Sequence, residues 1–79
     1  MKTTTTNIKL ATISDVRDFV NAVAAFEDEI DLQSGRYVVD GKSIMGIFSL
    51  DLSKPITLNI HADNANIDSI MTTLEKYIV

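Results

Sequence analysis

The chain has 79 residues, no cysteine and a formal net charge of -4 at neutral pH, which fits one domain, residues 1–79, with a core that packing alone must hold. With 46% hydrophobic and 23% charged residues, the balance is that of a globular protein. The seven Lys and Arg residues are scattered from Lys2 to Lys76 and form no basic patch, which speaks against direct binding to nucleic acid.

Met1-Lys2 and the four threonines that follow have no apolar h-region and no cleavage site. No apolar run approaches the ~20 residues that span a bilayer. A soluble, cytoplasmic protein without membrane insertion is expected. Thr5 to Ala11 predicts a strand, because Ile8 and Leu10 alternate with polar neighbours. From Ile13 to Phe26 the period changes, and Val16, Phe19, Val20 and Val23 form one helical apolar stripe. Thr12 or Ser14 can cap this helix, and Asp15 and Asp18 suit the positive end of its dipole.

Ile30 and Leu32 alternate again, Ser34-Gly35 supplies a turn, and Arg36 to Asp40 reads as the returning strand of a hairpin. Asp40-Gly41 closes it. Ile44 to Leu50 predicts a short helix with Ser43 as its cap, although Gly46 weakens it. Pro55 opens the last strand, with Ile56, Leu58 and Ile60 facing one way and Thr57, Asn59 and His61 the other. Asp63 or Asn64 caps a final helix whose buried stripe is Ile67, Ile70, Met71, Leu74 and Ile78. The order is βαββαβα. The economical packing is an α+β open-faced sandwich, one four-stranded sheet of antiparallel type with helices on one face. The first helix then crosses over between two parallel strands that leave room for a third.

Val39-Asp-Gly-Lys-Ser-Ile-Met-Gly-Ile-Phe-Ser-Leu-Asp-Leu52 resembles the second-helix region of HPr, the phosphocarrier of the sugar phosphotransferase system, and Lys42-Ser43-Ile44-Met45-Gly46 is its most specific part. It is similar to the regulatory serine segment of HPr proteins from Gram-positive bacteria. Phe19-Val20, Phe26 and Glu29-Ile30 fall where HPr places its first-helix and second-strand core, so the resemblance spans nearly the whole chain.

HPr carries Gly-Leu-His-x-Arg-Pro at the start of its first helix. In the Phe19 register, Thr12 stands at the phosphohistidine position, Ser14 at the arginine and Asp15 at the proline. A slide of three residues recovers Arg17 but no histidine. Phosphohistidine is a transferable link because imidazole is both nucleophile and leaving group. A threonine phosphoester is stable and does not pass its phosphate on. Asp15 as an acyl-phosphate acceptor has no support beyond its position, and a cap or dipole role is expected of it.

The resemblance implies phosphorylation of Ser43 by HPr kinase, at a helix N-terminus that favours an anion; the same serine is a natural N-cap. It also implies a docking surface on the second helix, made of Ile44, Met45, Ile47 and Phe48, of which about half are expected to be exposed. His61, the only histidine, is expected to be a solvated surface residue. No metal, no cofactor and no catalytic activity of the chain's own are expected. Glu27-Asp28-Glu29 is a solvated charge run, and a hydrolase triad of Ser43, His61 and an Asp has no motif behind it. Expected partners are proteins of the phosphotransferase system, HPr kinase or a transcriptional regulator. The competing readings are a phosphocarrier with an unconventional acceptor, and a retained fold put to other use, such as dimerisation through a sheet edge.

Overall fold

The computed structural model describes residues 2–79. The strands are β1 (Lys2–Ile8), β2 (Glu29–Ser34), β3 (Tyr37–Asp40) and β4 (Ile56–Ala62). The α-helices are α1 (Ile13–Ala24), α2 (Ile44–Phe48) and α3 (Asn64–Thr73), and a 3-10 turn follows at Glu75–Tyr77. The sheet order is β1-β4-β2-β3, with every neighbouring pair antiparallel. β1 and β2 are therefore parallel to each other with β4 between them, and α1 makes the crossover, as the element order predicts.

Alternation along β4 sorts the two faces of the sheet. Ile56, Leu58 and Ile60 are wholly buried, while Thr57, Asn59 and His61 are half-buried on the other face. Ile30 and Leu32 of β2 join the buried side, where Val16, Phe19 and Val23 of α1, Ile47 of α2 and Ile67 and Ile70 of α3 close over them in one core. Phe19 is its largest fully buried side chain and meets the Tyr77 ring edge-on, with centroids 5.8 Å apart. Burying a side chain of that size stabilises the fold by about 1.5–3 kcal/mol. Gly35 has a φ of 60° at the first residue of the two-residue β2–β3 turn, a conformation that glycine adopts without a steric cost.

Several expected boundaries move. β1 begins at Lys2 and ends at Ile8, because the whole threonine tract pairs with β4, from Lys2 opposite Ala62 to Ile8 opposite Ile56. Leu10 is buried but lies outside the strand: the chain has turned toward the C-terminal segment, where the Lys9 amide donates to the Tyr77 carbonyl at 2.8 Å. α1 stops at Ala24 and α2 at Phe48, short of Phe26 and Leu50. In both, the following amides tighten to carbonyls three residues back, Phe26 to Val23 and Leu50 to Ile47. α3 gives way to the 3-10 turn, which buries Tyr77 and leaves Met71 and Ile78 half-buried. Before β4, Asp51 accepts hydrogen bonds from the Ser53 hydroxyl and amide, which hold its carboxyl below the ordinary range. No helix among the described residues is long and apolar enough to cross a membrane.

Candidate functional site

The residues singled out by sequence fall at three places: the start of α1, the whole of α2, and the face of the sheet away from the helices. At the start of α1, Thr12 is the N-cap, and the choice between Thr12 and Ser14 is settled by geometry. The Asp15 amide donates to Thr12 Oγ1 at 3.0 Å, and Asp15 Oδ2 accepts from the Ala11 and Thr12 amides at 3.0 and 3.3 Å. This reciprocal capping box forms because an acidic side chain stands three residues after a threonine in extended conformation. The Thr12 and Asp15 side chains are thus paired with backbone amides, and a carboxylate already occupies this terminus. Ser14 is exposed and Ile13 is 73% exposed beside it.

α2 is capped differently. Ser43 Oγ accepts from the Gly46 amide at 3.2 Å, and no acidic residue stands in the first turn. Gly46, which weakens the helix by propensity, sits in a close-packed spot: a Cβ there would lie 3.2 Å from both Ser43 Oγ and Val39 Cβ, so these neighbours would have to give by a few tenths of an ångström. Asp40 Oδ1 accepts from the Lys42 amide at 2.8 Å, and Lys42 Nζ donates to the Phe26 carbonyl, so the segment before Ser43 is tied down at both ends.

Of the four apolar residues expected to form a docking surface, Ile47 is wholly buried and belongs to the core. The accessible apolar face of α2 is therefore Ile44, Met45 and Phe48, with Met45 the most open at 77%. Three of the four are thus exposed, more than the half expected, because a five-residue helix turns only one position squarely onto the sheet.

His61 departs from expectation. It is not a freely solvated side chain but the middle of a hydrogen-bonded row on the open face of the sheet. Its Nδ1 lies 2.8 Å from Thr3 Oγ1 on β1, and its Nε2 lies 2.9 Å from Asp31 Oδ2 on β2. Asp31 Oδ1 accepts from Asn59 Nδ2 at 2.8 Å, and Asn59 Oδ1 accepts from the Thr5 hydroxyl at 2.9 Å. Sequence reasoning placed Asn59 and His61 on one face but missed Thr3, Thr5 and Asp31 as their partners. The strand order and register bring these residues together, and alternation within one strand does not reveal either. His61 pairs with Thr3 near the start of β1, five residues before Ile8, so it stands about 17 Å along the strand from the end that feeds α1. It is also on the face away from the helices, and cannot stand in for a group at position 12.

Among the described residues there is no group of three or more His, Cys, Asp or Glu side chains placed to hold a metal ion. The chemistry at the helix termini is hydroxyl and carboxylate chemistry, suited to capping, ester phosphorylation and protein contact.

Comparison with known proteins agrees with this architecture. The family model of the PTS HPr component phosphorylation site matches residues 15–79, so Thr12 and Ser14 lie just ahead of the matched segment. The crystal structure of HPr-C-His from Thermoanaerobacter tengcongensis is 28% identical, with 94% of this chain and 90% of that one covered and a TM-score of 0.70. The phosphocarrier protein HPr from Bacillus anthracis str. Ames superimposes with a TM-score of 0.74 over 100% of both chains at 20% identity, a likeness of fold. No curated protein matches the chain. With most of its length matched by the family model and its sheet and helices in the same arrangement, the chain belongs to the HPr family of the phosphotransferase system.

Proposed function

We propose that this chain is a regulatory, protein-binding member of the HPr family that does not carry phosphate, and that phosphorylation of Ser43 controls its contacts. One observation carries the reading. The start of α1, where the family resemblance places the phosphoryl acceptor, holds a Thr12–Asp15 capping box and no imidazole. A hydroxyl there forms only a stable phosphoester. The Asp15 carboxylate accepts from the Ala11 and Thr12 amides and repels an incoming dianion. Nothing at this site supplies a nitrogen nucleophile.

The exposed face of Ile44, Met45 and Phe48 supports a binding role, since an apolar patch with a flexible methionine adapts to a partner surface. The partners on this reading are proteins of the phosphotransferase system, HPr kinase as the modifying enzyme, or a transcriptional regulator. Ser43 lies at the edge of the patch, so a phosphate on it changes the charge of the same surface.

Titration of labelled protein with the first enzyme of the phosphotransferase system, followed by amide chemical shifts, tests this. Shifts centred on Ile44, Met45 and Phe48 are expected. Failure to bind any phosphotransferase-system protein, with Ser43 either free or phosphorylated, would overturn the reading.

A further inference from the structure

The row on the open sheet face contains a hydroxyl, an imidazole and a carboxylate in series, and the proton positions follow from their chemistry. A carboxylate only accepts hydrogen bonds, so the contact between His61 Nε2 and Asp31 Oδ2 requires the ring hydrogen on Nε2. A neutral imidazole has one such hydrogen, which leaves the Nδ1 lone pair facing Thr3 Oγ1, and the Thr3 hydroxyl donates to it. Asp31 is itself held by Asn59, so the imidazole cannot rotate freely. A nucleophile in hydrogen-bond reach of a base, with the base oriented by a third group, is the arrangement that activates hydroxyls.

We propose that the Thr3 hydroxyl is an activated nucleophile and the site at which this chain accepts an acyl group from donors with a good leaving group. Thr3 Oγ1 attacks the donor's carbonyl carbon as its proton passes to His61 Nδ1. The carbon–oxygen bond to the leaving group breaks, the leaving group departs as its anion, and the imidazolium returns its proton to that anion or to water. Asp31 is a positioning residue that holds the tautomer. General-base help of this kind accelerates a step by about 10²–10⁴-fold. The α1 and α2 surfaces play no part in this chemistry.

The threonine tract supplies its own control. Thr5 lies on the same face and is also exposed, but its hydroxyl donates to an amide oxygen of Asn59, which is not a base. The charged groups around the imidazole are Asp31, Glu29 opposite it in the register of β2, and Asp40 opposite Asp31 on β3; β1 presents the neutral Thr3.

The test is incubation of the full chain with p-nitrophenyl acetate, followed by peptide mapping by mass spectrometry. Acetylation at Thr3 is expected to be at least about 100-fold faster than at Thr5. Thr3→Val and His61→Gln remove it, Asp31→Asn slows it, and Thr3→Ser retains it. Its rate follows the unprotonated fraction of His61 measured by NMR on the same sample, a dependence that a merely structural role of His61 does not produce. Equal labelling of Thr3 and Thr5, no labelling of Thr3, or labelling unchanged in a folded His61→Gln variant would overturn the proposal.

Discussion

The N-termini of α1 and α2 are capped by the same kind of hydroxyl and offer opposite chemistry. At α1, Thr12 is answered by Asp15, which accepts two amides and fills the terminus with charge. At α2, Ser43 accepts one amide and the first turn, Ile44-Met45-Gly46, is uncharged. An added phosphate at Thr12 has to displace or oppose a carboxylate. At Ser43 it meets the positive end of a dipole whose first turn holds no carboxylate. A single acidic side chain three residues into a helix thus separates an end that already carries a negative charge from one that does not.

That difference can be broken on purpose. Two charges about 4 Å apart interact by about 1 kcal/mol in water and about 4 kcal/mol near a protein surface. Thr12→His alone should therefore take phosphate poorly from the first phosphotransferase enzyme. The Thr12→His/Asp15→Ala pair should take it at least about tenfold faster, as read by acid-labile phosphate against time.

The next effect separates core from surface on α2. Ile47→Ala should cost about 2–5 kcal/mol in denaturant unfolding, as a buried large-to-small change does. Met45→Asp should stay within about 0.5 kcal/mol because the side chain is exposed, yet weaken binding of a phosphotransferase-system partner.

The caps themselves come third. Thr12→Ala should cost about 1–2 kcal/mol, at the upper end because it breaks a reciprocal box. Ser43→Ala should cost about 1 kcal/mol or less. A larger loss for Ser43→Ala than for Thr12→Ala would reverse the comparison.

The smallest effect belongs to Asp51. Its folded carboxyl is held below the ordinary value of 3.8, first by the Ser53 hydroxyl and then by the Ser53 amide. A depressed carboxylate stabilises the fold above its unfolded pKa, and that contribution is lost as the pH falls from about 4 through the folded value. Ser53→Ala should flatten the acid limb of the melting temperature against pH, lowering stability slightly at neutral pH and leaving it little changed once the carboxyl is protonated in both states.

Much of this arrangement is legible in the order of the residues. Alternation at Ile56, Leu58 and Ile60 marks β4, and the stripe of Val16, Phe19 and Val23 marks α1 with its buried face. Parallel β1 and β2 with a strand between them follow from the element order. Three features stay hidden because they depend on long-range register or on wrapping. β1 takes in the whole threonine tract because β4 templates it from Ala62 back to Ile56. Tyr77 is buried because the C-terminal turn closes on the end of β1, which its own segment's period does not show. Thr3, His61 and Asp31 come from three different strands and meet only once those strands are in order. At the candidate site, Ser43 and Thr12 as caps are readable from local spacing. The burial of Ile47 is not, since a helix of five residues has too few turns for an apolar stripe to point anywhere.

The most direct test is intact mass after two parallel incubations, one with phosphoenolpyruvate and the first phosphotransferase enzyme, the other with HPr kinase and ATP. The proposed function predicts no phosphate in the first, and one phosphate in the second that Ser43→Ala abolishes. Incorporation of phosphate in the first incubation would contradict it, because the chain would then be a carrier despite the closed end of α1.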